Sequence, residues 1–309
     1  MTDAMKGHLA MLLFSGLIAG SFALGSMAAN HVAPTALNAM RFILASVLVG
    51  AWAFTITGVK RSAFSAPWRY LLMGAAMGLY FVLMFEGLKT AAPVSAAAVF
   101  TLTPIMSGLF GYILLRQITT RRMALALAVG ACGALWVIFR ADWSALVRFE
   151  MGRGEVIYFV GCIAHAFYTP LVRKLNRGEP PVVFSFGAML ATALLVGIFG
   201  WRDIVATDWI ALPGIVWITI AYTAVFATAI TFVLVQYASL RLPSAKVMAY
   251  TYLTPSWVIL WQAALGHGLP TGLVLAGVGL TILALMMLLK DEDTPKPGSD
   301  KPGRFQRAL

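Results

Sequence analysis

The chain has 309 residues, 60% of them hydrophobic and 11% charged, and Lys and Arg outnumber Asp and Glu by 23 to 12. This usage excludes an ordinary soluble domain, whose core could not absorb so many apolar side chains. No basic, aromatic-interleaved soluble module carries the positive excess, so nucleic acid is not an expected partner, and Cys132 and Cys162 lie in apolar stretches that imply no disulfide framework.

The charges fall in short clusters between uncharged runs of about 20 residues, the length at which a helix crosses ~30 Å of hydrocarbon. Taken in chain order, the pattern predicts helices over 8–29, 34–56, 68–89, 93–115, 122–139, 154–175, 181–199, 210–236, 244–264 and 270–289. A membrane barrel would need alternating segments of roughly 10 residues, and these runs are longer and apolar all round. The first span follows Lys6 and ends near "SMAAN", a pattern shared with signal peptides; its length and its counterpart in the second half favour retention in the membrane. The polar, Pro- and Gly-rich stretch 290–309 has too little apolar surface to fold and is expected to be a disordered cytoplasmic tail.

Orientation follows from Lys and Arg. With the N-terminus inside, sixteen basic residues fall on the cytoplasmic side and five on the other, while Arg41 and Lys246 lie within spans. Both termini are therefore expected in the cytoplasm, with the protein in the inner (plasma) membrane. The bias accounts for the basic charge without an acidic partner.

Two segments share a mark. "VFTLTPIM" (99–106) and "YTYLTPSW" (250–257) place Leu-Thr-Pro 151 residues apart, and Pro34 with Pro181 and Gly7 with Gly154 recur 147 apart. With five spans in each half, the second half enters the membrane from the opposite side. The expected fold is an all-α integral membrane protein of ten helices in two inverted five-helix repeats, 8–139 and 154–289, an organisation found in many secondary transporters. Pro104 and Pro255 each fall near the bilayer midplane. Proline removes a helix hydrogen bond, so the carbonyls of Phe100 and Thr251 should be freed beside the hydroxyls of Thr103 and Thr254. In hydrocarbon a freed carbonyl must face protein or a water-filled cavity. Two bent helices lining a central site is one reading; a packing kink is the other.

The ordered, duplicated pattern of "GLKTAAPVSAAAVFTLTP" (87–104) and "ASLRLPSAKVMAYTYLTP" (238–255), with "PTALNAMRFILA" (34–45), resembles the EamA-type drug/metabolite transporter superfamily over residues 8–289. Its ten-span bacterial exporters are the nearest group, and YddG-type aromatic amino-acid exporters the nearest type. The resemblance implies alternating access and export across the inner membrane. The Leu-Gly-Glu that the family often carries after the fourth and ninth spans is replaced here by stretches holding Gln117 and His267, so no role of that carboxylate carries over.

Several side chains invite function. Arg41 lies inside the second span, ~10 Å from its outer end at ~1.5 Å per residue, and Glu86 lies at a similar depth in the third. An intramembrane arginine marks a functional site by default. Three readings are open: an Arg41–Glu86 pair, snorkelling of Arg41 to the interface, and contact with a substrate carboxylate. His165 stands in the middle of the sixth span, able to carry protons, bond a substrate or simply pack. Polar-aromatic stripes at helical spacing run along the third, sixth, eighth and ninth spans. The candidate substrate contacts are Tyr80, Met84, Phe100, Thr103, His165, Tyr168, Tyr222, Tyr250, Thr254 and Trp257. The fifth and tenth spans are featureless and apolar, expected at the periphery. Gly16-x-x-x-Gly20 and Gly74-x-x-x-Gly78 read as close helix packing.

No catalytic constellation, metal-ligand cluster or phosphate loop is visible, so no enzyme activity, metal or cofactor is expected. The expected function is secondary export of small amphipathic metabolites, amino acids including aromatic ones, through a central cavity. Export of cationic drugs or nucleobase-like metabolites is the alternative; an intramembrane enzyme or a non-transporting scaffold is a rival class. The expected partners are the small-molecule substrate and the lipid bilayer, with no obligate protein partner.

Overall fold

A computed structural model describes residues 3–148 and 151–289. The expected tail, 290–309, lies outside the described residues. Among those described, no strand occurs, and nine helical stretches are long and apolar enough to cross a membrane. The spans are Asp3–Ala28, Pro34–Thr57, Trp68–Gly87, Pro93–Leu115, Arg121–Ile138, Arg153–Leu175, Pro181–Phe199, Gly214–Ser239 and Gly272–Leu289. The tenth crossing expected from sequence, between the last two of these, is divided into Ser244–Ala249, Tyr250–Leu253 and Thr254–Ala264. Counting it ninth in chain order, the described residues make five crossings in each half.

The packing obeys a pseudo-two-fold relation. The third span lies along the sixth, and correspondingly the eighth lies along the first. The fourth packs on the sixth as the ninth packs on the first, and the third on the seventh as the eighth on the second. The second meets the seventh and the fifth meets the tenth, each pair being its own mate. Because each half has an odd number of crossings, this relation inverts one half against the membrane. The first span is held between the eighth and ninth just as the sixth is held between the third and fourth, so it is an integral part of the bundle.

The eighth span begins at Gly214, later than the expected 210, because Asp208 and Pro213 make a turn: Asp208 Oδ1 accepts from the backbone N–H of Ile210 and Ala211. Two short helices, Trp143–Arg148 and Trp201–Ala206, lie in connections where none was expected.

The prolines act differently from a simple kink. The helix stops before each of them and restarts with the proline in the first turn of the next piece, where its missing N–H costs nothing. The breaks are at Thr101–Leu102 and at the 3₁₀ turn Tyr250–Leu253. The Phe100 carbonyl accepts from the Thr103 hydroxyl at 2.5 Å, as expected. In the second half the Thr251 carbonyl accepts from the backbone N–H of Thr254, so the Thr254 hydroxyl is not used there.

The fifth and tenth spans cross where Gly133 faces Gly277. A methyl on Gly133 would lie 2.6 Å from the Gly277 carbonyl oxygen, a backbone atom that cannot rotate away. Gly133→Ala is expected to lower stability by about 1–3 kcal/mol through overpacking, read as a lower unfolding temperature in detergent; an unchanged value would contradict the crossing.

Candidate functional site

The third span presents Met77, Tyr80, Phe81 and Met84 to the bundle interior, three or four residues apart on one helical face. The break in the fourth span brings Phe100 onto the same spot, its ring 5.8 Å from that of Tyr80 and 5.2 Å from that of His165. His165 and Tyr168 come from the sixth span, and Phe14, Ile18, Ser21 and Phe22 from the first. The eighth closes the wall with Ala227, Thr231, Phe232 and Val235. Both repeats thus contribute to a single cavity of ≈ 20 Å³, room for about one water. The aromatic rings have collapsed against one another, and a metabolite requires the helices to part.

Polar groups in this apolar wall are few. The hydroxyls of Tyr80 and Tyr158 bond each other at 2.9 Å, and the Gln236 amide donates to the Tyr168 hydroxyl at 2.9 Å. His165 Nδ1 and Ser21 Oγ are buried without a hydrogen-bond partner. Unpaired polar atoms in so dry a place are costly and mark where a ligand's polar groups or a water would be received.

Of the candidate contacts, the structure brings Tyr80, Met84, Phe100, His165 and Tyr168 together on this cavity. The others lie off it. Thr103 is spent on the Phe100 carbonyl. The Tyr222 hydroxyl donates to the Leu17 carbonyl, its ring against Gly20, and Trp257 Nε1 donates to Ser15 Oγ; both side chains pin the eighth and ninth spans to the first. Tyr250 bonds His8 Nδ1 through its hydroxyl, and Thr254 is buried beneath the second break. The ninth span contributes nothing to the closed cavity. Sequence reasoning missed Phe14, Phe22, Phe81 and Phe232, which lie on apolar faces with no polar atom or neighbouring break to mark them. The first pair of expected packing glycines divides: Gly20 is tight against Tyr222, while Gly16 has Trp257 at ordinary distance. In the second pair, Gly74 lies tight against the backbone of Ala191 and Thr192.

Arg41 and Glu86 do not pair. Glu86 bonds Lys89 at 2.7 Å at the surface. Arg41 is fully buried and does not snorkel. Its Nε donates to Thr228 Oγ1 at 2.5 Å and its Nη2 to the Ala227 carbonyl at 2.9 Å, and the guanidinium lies 3.9 Å from the Phe81 ring centre.

The two ends of the bundle close differently. Where the third span ends and the sixth begins, Gly87 and Gly154 meet backbone to backbone, and buried Glu155 accepts from Ser95 Oγ at 2.8 Å. The equivalent positions at the other end hold Ala238, Gly7, His8 and Lys246. There a methyl on Gly7 would meet the Leu242 side chain at 3.2 Å. The Gln117 side chain, where the family often carries glutamate, accepts from the backbone N–H of Ser244 and secures the start of the ninth span.

Fold and site together define a multi-pass membrane protein of two repeats around an enclosed cavity. The profile of the EamA-like transporter family matches residues 5–139 and 152–290, one copy per repeat, and the chain belongs to that family. It is 23% identical over 285 residues to the uncharacterized transporter YyaM of Bacillus subtilis, covering 90% of this chain and 92% of that one. It is 24% identical over 256 residues to an uncharacterized transporter of Archaeoglobus fulgidus, covering 81% and 86%. A solved crystal structure superposes with a TM-score of 0.68 at 22% identity, covering 93% of this chain and 97% of that one, a likeness of fold.

Proposed function

We propose that the protein is a secondary exporter of small amphipathic metabolites, amino acids with aromatic side chains among them, working by alternating access. The observation that carries this reading is the enclosed cavity between the two repeats, walled by Tyr80, Phe81, Phe100 and Phe232 and holding the unpartnered His165 Nδ1 and Ser21 Oγ. Aromatic rings offer stacking surface for an apolar or aromatic body, and Met77 and Met84 adapt to its shape. The few free polar atoms fix its orientation, the usual construction of a small-molecule site. Tyr80, Met84, Phe100, His165 and Tyr168 are the side chains we assign to substrate.

Transport requires the cavity to open to each side in turn. The Gly87–Gly154 crossing closes one end, and the packing of the first span against the eighth and ninth closes the other. The bias of Lys and Arg supports cytoplasmic termini; with that orientation in the inner membrane, the glycine crossing faces the outer side. Purified protein in proteoliposomes, assayed over amino acids, aromatic cations and nucleobases with and without a pH gradient, tests the reading. Movement of aromatic amino acids is expected. A protein that is folded yet moves none of the panel would overturn it.

A further inference from the structure

We propose that Arg41 is the group that recognises the substrate's carboxylate. The proposal rests on the exporter reading above and narrows its substrate class to small aromatic or apolar carboxylates. A guanidinium stays charged in a protein, and withdrawing that charge from water is expensive unless it is paired. Among the described residues no carboxylate lies within ion-pair distance of Arg41, and its Nη1 has no hydrogen-bond partner although the side chain is completely buried.

Arg69 shows what a structural arginine looks like in the same bundle. It is equally buried, but every nitrogen is used: Nε on the Ala66 carbonyl, Nη1 on the Leu175 carbonyl at 2.6 Å and Nη2 on Glu179 at 2.7 Å. Arg41 lacks both the carboxylate and the third partner.

The symmetry of the fold strengthens the contrast. By the Pro34–Pro181 offset, the position equivalent to Arg41 in the second repeat is Ala188, also fully buried. Packing the second span against its neighbours therefore does not require a cation. The eighth span breaks the symmetry as well. It contains a π-helical turn, Val225–Ile230, where the third span, its mate, is regular α-helix. π turns of this kind often mark functional sites. The two departures touch: Arg41 binds Thr228 and the Ala227 carbonyl within that turn. They also meet the cavity, because Ala227 and Phe81, both in contact with the guanidinium, line it.

A planar fork with a free N–H edge, one residue behind an aromatic wall, suits a carboxylate, which guanidinium binds in a bidentate fashion. The same positive charge repels cationic drugs, which separates the two substrate classes. As the helices part and Phe81 shifts, the carboxylate takes Arg41 and the aromatic body takes the ring of Tyr80 and its neighbours.

Counterflow in proteoliposomes with L-phenylalanine and with 2-phenylethylamine, which has the same body without the carboxylate, tests this. Wild-type protein is expected to move phenylalanine and to reject the amine. Arg41→Gln should weaken phenylalanine transport at least ten-fold and erase the discrimination. Arg41→Lys, which keeps the charge but not the fork, should lose affinity for phenylalanine while unfolding near the wild-type temperature. Phenylalanine transport undiminished in both variants overturns the proposal. So does a wild-type protein that moves the amine as readily as the amino acid, an outcome that leaves the exporter reading standing. If the wild type moves no compound of the wider panel, the exporter reading fails and the assignment of Arg41 fails with it. Should Arg41→Gln not fold, Arg41→Lys and the wild-type selectivity decide.

Discussion

Gly87→Ala is expected to abolish most transport while leaving the protein folded. A methyl on Gly87 would lie 2.6 Å from the Gly154 carbonyl oxygen and 2.9 Å from Tyr158 Cβ, and a methyl on Gly154 would lie 2.6 Å from the Ala91 nitrogen. Those neighbours are backbone or the root of a side chain, so the third and sixth spans must separate. Overpacking of this kind costs about 1–3 kcal/mol. Levied on one closed state alone, it shifts the balance between open and closed forms by roughly 5- to 150-fold. The substitution should therefore hold that end open and stall the cycle. Gly7→Ala, at the place in the other half that corresponds to Gly154, meets the mobile end of Leu242 at 3.2 Å and should be milder. Equal loss in both variants, or none in Gly87→Ala, would show that this crossing is not a closure. The readouts are initial transport rate and the unfolding temperature in detergent.

Glu179→Gln carries the largest expected loss of stability. Glu179 bridges the Arg69 guanidinium at 2.7 Å, with side-chain exposures of 8% and 1%. Removing one partner of a buried pair typically costs about 3–5 kcal/mol, because the remaining charge is left uncompensated. The pair joins the start of the third span to the connection between the sixth and seventh, so it ties elements of both repeats together. Burial alone would raise the Glu179 carboxyl, but the hydrogen bond from Arg69, the Arg177 backbone N–H and the Arg69 charge together hold it below its usual value. Its folded-state value is thus depressed relative to the unfolded chain. The stabilisation is fully present above the ordinary carboxylate value of 4.5 and disappears as pH falls through the lower, folded value. The gap in unfolding temperature between wild type and Glu179→Gln should be wide at pH 7 and narrow on acidification below that point. A gap independent of pH would contradict the ion pair.

Much of the architecture was legible because the bilayer permits few solutions. Apolar runs of spanning length, the Lys and Arg bias and the matched Leu-Thr-Pro segments suffice to specify ten crossings in two repeats. The site was legible where a polar or aromatic residue stands out on an apolar face, as Tyr80, His165 and Tyr168 do. Three things were not. Phe22, Phe81 and Phe232 carry no mark distinguishing a cavity wall from ordinary packing. The π turn of the eighth span leaves no trace in its sequence, so the partner of Arg41 could not be foreseen, and of the three readings left open the pairing with Glu86 and the snorkelling both fail. Arg69 counted among the charges facing the cytoplasm, yet it is buried on a carboxylate 110 positions away, a pairing that local pattern does not encode. The ninth-span stripe of Tyr250, Thr254 and Trp257 does have helical spacing, but Tyr250 and Trp257 are taken up by His8 and Ser15 of the first span.

The central claim is that the cavity between the repeats opens to water on alternate sides. Ser21 lines it and is only 2% exposed in the closed form. In a background of Cys132→Ala and Cys162→Ala, a cysteine placed by Ser21→Cys can be challenged in proteoliposomes with a membrane-impermeant thiol reagent, applied from each face separately. The account expects labelling from both faces, slowed by a transported amino acid that fills the cavity. A correctly folded protein whose Ser21→Cys thiol stays unlabelled from both faces, while an exposed control cysteine reacts, would contradict it.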